Sequence, residues 1–162
     1  HYIDMFAGDM HPGTSHGEQV GIATISMSKF QNAILKKDQP PIIYPTNIHE
    51  EEISQKLGEP MLETIKKSMD PKIFDQKKAD TTNEYFSKHW LEFVEPLREK
   101  MLDYDLIWNS MGECGALRTP EDAKLDSNFY KDALRYGRFI RDRYTILDLA
   151  GDSNQLDNLI NV

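Results

Sequence analysis

The sequence predicts an all-α domain, and three observations carry that prediction. Apolar residues recur at steps of three and four along most of the 162-residue chain. No segment alternates apolar and polar residues over the length of a strand, and Ile42-Ile43-Tyr44 is too short to count. Prolines and glycines fall at the ends of the periodic runs, where they stop helices or start them. The expected architecture is roughly six to eight helices around one core.

Taken in order, Tyr2, Ile3, Met5 and Phe6 read as the end of a helix already under way, so further sequence is expected before His1. The loop FAGDMHPG leads into TSHGEQVG, a helix start where Ser15 or His16 caps and Glu18 falls favourably in the first turn. Over residues 17–37, Val20, Ala23, Met27, Phe30 and Ile34 share one face. Ile22, Ile25, Ala33 and Leu35 widen that face, so this helix is expected to be buried on most sides. Gly21 inside it costs about 1 kcal/mol relative to alanine, which points to a packing reason such as another helix crossing closely. Gln39-Pro40-Pro41 ends the run, because proline lacks the amide proton and disfavours helix in its predecessor.

Pro45-Thr46-Asn47 introduces a short acidic helix over 48–57, closed by Gly58. Pro60 starts the next, through Met61, Leu62, Ile65 and Met69, and Asp70-Pro71 breaks it. A long segment over 73–102 follows, with Phe74, Tyr85, Phe86, Trp90, Phe93, Val94 and Leu97 as its apolar face and Pro96 as a kink or division. Residues 105–111 form a short helix ending at Gly112, and GALRTPEDA is turn-like. Ser127 or Asn128 caps a helix whose stripe is Phe129, Ala133, Tyr136 and Ile140, running into RDRYTILDLAG. The helical domain is therefore read as 1–151, and 152–162 as a polar tail carrying Leu156, Leu159 and Ile160.

Charge and composition narrow the function. A net charge of −8 repels a phosphate backbone, and no basic stripe overrides it outside 135–143, so nucleic acid is not an expected partner. The single cysteine, Cys114, rules out an internal disulfide framework and fits a reducing, cytoplasmic setting. No apolar run reaches membrane-spanning length and HYIDMF has no signal-peptide pattern, so no membrane is expected as partner. A glycine-rich strand–turn–helix fingerprint is absent, so the domain is not expected to bind a dinucleotide by itself.

Among the histidines, His49 and His89 sit among charged residues and are expected to face solvent. His1, His11 and His16 are close in sequence, and the intervening loop could fold His1 and His16 into one cleft. Neutral imidazole is the commonest metal ligand, but a catalytic divalent ion usually takes three protein ligands. On the residues alone, a capped helix start remains the stronger reading of His16. Arg138 and Arg141, three apart, could hold a phosphate or carboxylate; a solvated face paired with Asp132 and Asp142 is the expected arrangement. Cys114 has no basic neighbour in sequence and is not expected to be a nucleophile.

HYIDMFAGDMHPGTSHGEQVGIATI and RYGRFIRDRYTILDLAG together resemble the C-terminal helical half of bacterial glycerol-1-phosphate dehydrogenases. These belong to the iron-containing alcohol dehydrogenase and dehydroquinate synthase-like superfamily. The resemblance runs from residue 1 to about 151, strongest at those two segments, with 38–104 matching mainly by pattern. It implies a Rossmann-like NAD(P)H-binding domain preceding the helical one, and a divalent metal, zinc or nickel, held by an aspartate and two histidines. His16 matches the histidine of the family's HGE motif and would be a metal ligand. His1 matches the last histidine of a preceding E-H-x-x-x-H helix, so the other histidine ligand and the aspartate would lie upstream. His1 would then face the substrate or steady a ligand, and the chain alone would bind metal weakly and be inactive. The implied chemistry is reduction of dihydroxyacetone phosphate, a small phosphorylated triose, to sn-glycerol 1-phosphate in phospholipid metabolism. A homodimer is a family habit that the resemblance passes on. A related glycerol dehydrogenase or dehydroquinate synthase-like enzyme is the nearest alternative, and a non-catalytic helical interaction module is the alternative from another class.

Overall fold

The computed structural model describes residues 1–161 and is all-helical in class, with no strand among them. Among the described residues nine α-helices follow one another: α1 (Tyr2–Phe6), α2 (His16–Leu35), α3 (Glu50–Leu57), α4 (Glu59–Met69), α5 (Gln76–Arg98), α6 (Tyr104–Glu113), α7 (Ser127–Tyr136), α8 (Ile146–Asp152) and α9 (Leu156–Ile160). Short 3-10 turns occupy Gly8–Met10, Asp70–Lys72 and Gly137–Ile140. No helix among the described residues is long and apolar enough to cross a membrane.

The ends of the helices follow the expected chemistry with small shifts. Gly58 closes α3 at φ 87°, a left-handed conformation that side chains resist, and Pro60 lies in the first turn of α4. Asp126, rather than Ser127 or Asn128, caps α7, its carboxylate accepting from the Phe129 amide at 2.8 Å. Pro96 neither divides nor ends α5; it lies inside the last turn at the cost of one amide-to-carbonyl bond.

Two apolar clusters make the core. The larger gathers Ile22, Phe30 and Ile34 of α2 with Trp90 and Val94 of α5, Tyr130 and Leu134 of α7, Ala150 of α8, and Leu156 and Ile160 of α9. The smaller joins Ile53, Leu57, Leu62, Ile65 and Met69 of α3 and α4 to Tyr2, Tyr136 and Phe139. Phe129 and Ala133 touch both clusters, so α7 is the shared wall. Residues 152–161 hold the buried ends of this packing: Leu156 and Ile160 return to the core although their neighbours are polar.

Helix α2 is less uniformly buried than its composition suggests. Gln19, Ile22, Ile25, Phe30 and Ile34 are covered, whereas Val20 is 49% exposed on the opposite side. Gly21 has the packing reason expected of it: a Cβ there would lie 2.9 Å from Met111 Cε, where α6 crosses. In α5 the buried set is Ala79, Phe86, Trp90 and Val94, while Tyr85, Phe93 and Leu97 are exposed. The stripe is narrower than predicted because α5 rests against α2 and the extended stretch around Ile43 on one side only. Trp90 Nε1 donates to the Lys37 carbonyl at 2.8 Å, and Arg98 donates to the Leu35 and Lys37 carbonyls, so α5 satisfies the C-terminal carbonyls of α2.

Arg138 departs most from its expected place. It is 6% exposed, not part of a solvated face, and belongs to a buried group of four charges with Lys72, Asp148 and Asp152. Arg138 Nη2 meets Asp152 Oδ1 at 2.5 Å, its Nε lies 3.4 Å from Asp148 Oδ1, and Lys72 Nζ lies 2.9 Å from the same oxygen. Lys72 Nζ also donates to the Arg138 carbonyl. Thr145 donates to Asp148 Oδ2 through its amide and its hydroxyl, both at 2.8 Å, and Tyr144 and Thr46 donate to Asp152 at 3.1 Å. Two cations and two anions cancel, which is the condition for burying charge at all. Asp132 pairs instead with Arg135 and Lys56.

Candidate functional site

His16 is the first residue of α2, and its position follows from a complete cap. Ser15 Oγ accepts from the Glu18 amide at 3.3 Å, and Glu18 Oε2 accepts from the Ser15 amide at 2.6 Å. The Ser15 amide and hydroxyl, both donating to this carboxylate, hold it below the usual carboxylate range. The capping role thus belongs to Ser15, which frees the His16 ring to point away from the helix start.

The facing wall is α1. His1 stands at its N-terminal end and Asp4 one turn on, while Tyr2, Ile3 and Ala7 are buried beneath. The connecting loop returns the chain through Gly8 at φ 50° and Gly13 at φ 77°. The outcome is the cleft expected from the sequence: the rings of His1 and His16 lie 5.4 Å apart between centroids, inclined at 41°. Asp4 completes the group, with Oδ2 2.9 Å from His16 Nδ1. One donor atom from each of His1, Asp4 and His16 lies within 4.8 Å of the others, and all three residues are exposed.

His11 joins only at the margin. Its Nε2 stands 3.8 Å from Asp4 Oδ1, beyond hydrogen-bond reach, and 2.9 Å from Gln19 Nε2. Gln19 is buried, and its Oε1 has no partner. Around Asp4, loss of solvent pushes the carboxyl up, but the hydrogen bond from His16 and the charges beside it outweigh this. The carboxyl therefore sits below its ordinary range.

His1 and His16 also line a cavity of about 210 Å³, whose walls include Gln19, Val20, Ala23, Met27, Tyr130 and Arg141. The α2 wall of this cavity thus combines exposed Val20 with buried Gln19 and core-packed Met27. Arg141 reaches it, whereas Arg138 on the preceding turn does not, so the two arginines do not act as one anion clamp.

The other histidines are brought to no common point with these. His49 lies next to α3 near Asn47, and His89 pairs with Glu92 at 3.0 Å and stacks on Tyr85. Cys114 is exposed at the end of α6. A polar cavity of about 320 Å³ is lined by Arg135 and Arg138, both already matched by carboxylates. Asp4 is the residue that the sequence reading passes over. Its signal was its place three residues after His1, which puts both on the same side of one helical turn.

Comparison of the chain with protein-family models, with curated proteins and with solved structures finds no match.

Proposed function

We propose that this chain is the metal-facing helical domain of an NAD(P)-dependent sn-glycerol-1-phosphate dehydrogenase of the dehydroquinate synthase-like fold. One observation carries the reading. The HGE histidine, His16, meets His1 across a cleft and has its Nδ1 engaged by a carboxylate.

The donor set fits a divalent zinc or nickel ion. A neutral imidazole held through one nitrogen offers the other as a ligand, and His16 Nε2 has no hydrogen-bond partner among the described residues. Such an ion, when bound, supplies Lewis acidity at the ketone of dihydroxyacetone phosphate while NAD(P)H supplies hydride. His16 would hold the ion from this chain, and His1 would face the substrate. Val20, Ala23 and Met27 would keep water from one side of the cavity. An aspartate, a second histidine and the nucleotide site would come from sequence preceding His1, in a cytoplasmic enzyme.

The test is the complete reading frame that contains this chain. An E-H pair ending four residues before His1, and a Rossmann-type glycine motif further upstream, are expected. The purified product should reduce dihydroxyacetone phosphate in a metal-dependent reaction that His16→Ala abolishes together with bound metal. Turnover of unphosphorylated glycerol alone would move the assignment to a glycerol dehydrogenase. Unchanged metal content and activity in His16→Ala would overturn it.

A further inference from the structure

We infer that Asp4 is a positioning residue: it holds His16 as the Nδ1–H tautomer and so presents the Nε2 lone pair to the cleft. The inference rests on the metal-centre reading for its purpose, though not for its geometry.

A neutral imidazole carries one ring proton, and an ionised carboxylate can only accept. With Asp4 Oδ2 2.9 Å from Nδ1, the bond forms only if that proton is on Nδ1, which leaves Nε2 bare. Both partners are fixed by their own elements. Asp4 rides on a helix turn whose Tyr2 and Ile3 are 7% and 6% exposed, and His16 sits in the first turn of a fully capped helix. Neither side chain is buried, so the contact is not forced by crowding; it is made by two anchored backbones aimed at each other.

The same three side chains admit a second arrangement in which Asp4, His1 and His16 all grip one ion directly. The Asp4–His16 contact favours the hydrogen-bonded arrangement. Tetrahedral ligands at about 2.1 Å from zinc stand about 3.4 Å apart, and a cation between Nδ1 and Oδ2 would have to open their 2.9 Å bond. His11 does not compete for the carboxylate, being 3.8 Å from its other oxygen.

Histidine tautomers are read directly by long-range proton–nitrogen correlation on the nitrogen-15-labelled chain near neutral pH. Wild type should show His16 with Nδ1 protonated and Nε2 not. Asp4→Ala should move the proton to Nε2, and Asp4→Asn, whose amide oxygen still accepts, should keep the wild-type pattern. In zinc titrations followed by the His16 signals, Asp4→Ala should weaken binding by about 10–100-fold, the usual effect of losing such an outer carboxylate. Circular dichroism of both variants guards against unfolding, and Asp4→Asn carries the test if Asp4→Ala does not fold. Nε2–H in wild type, or an unchanged tautomer in a folded Asp4→Ala, would overturn the inference. Because the tautomer is read without any ion, unchanged bound metal in His16→Ala of the complete protein refutes the metal-centre reading separately.

Discussion

Gly151→Ala tests the buried charge group through the smallest perturbation available, one methyl. A Cβ built on Gly151 lies 1.4 Å from Arg138 Nη1 and 2.6 Å from its Cζ, where ordinary contact begins at 3.4 Å. The guanidinium must therefore retreat by about 2 Å. It has no free path, because Nη2 is held by Asp152 at 2.5 Å and the side chain is only 6% exposed. Losing one partner of a buried ion pair costs about 3–5 kcal/mol. Alanine in a helix returns up to about 1 kcal/mol over glycine. The net expectation is a loss of about 2–4 kcal/mol, or about 4–16 °C in Tm for a domain of this size. Urea and thermal unfolding followed by circular dichroism measure it. Gly17→Ala is the control, since its nearest neighbour would be Ser15 Oγ at an ordinary 3.9 Å. A Gly151→Ala protein as stable as wild type, or more so, would refute the account of how these charges are packed.

Further outcomes follow from other contacts. Lys72→Met leaves Asp148 buried with one cation instead of two, and should cost about 3–5 kcal/mol in the same unfolding assay. Gly21→Ala meets only the flexible end of Met111, so its stability should stay within about 1 kcal/mol of wild type. Burial pushes the Tyr130 hydroxyl up from 10.0 to about 12, and burial raises Tyr2 to about 12 as well, with Asp132 adding to it. The folded state then holds these protons while the unfolded chain releases them. Stability should be complete below pH 10 and fall as pH rises toward 12. Tyr130→Phe should flatten that fall; an identical alkaline profile would show that the hydroxyl is not buried as described.

The helical class and most helix ends were legible because they depend on local chemistry. Ser15 with Glu18, Gly58 and Pro60 signal through residues a few positions apart, and each lies where its spacing implied. Burial was legible only where one face meets one partner. Periodicity treats Phe93 and Leu97 like Phe86 and Trp90, yet only a neighbouring element decides which are covered. Arg138 was misplaced for a related reason: its partners Asp148 and Asp152 lie beyond a turn, outside the window in which helix ion pairs are sought. His1 and His16 were legible as neighbours because one short loop joins them. Asp4 was passed over, because its spacing from His1 gains meaning only once the imidazole opposite it is seen.

The buried charge group also orders the events of synthesis. Lys72 and Arg138 both precede, along the chain, the two carboxylates that neutralise them. A nascent chain therefore carries two cations without the carboxylates that pair with them in the core until α8 emerges. The earlier helices cannot seal their interior ahead of that moment. Closure of the core is in this way tied to the emergence of α8.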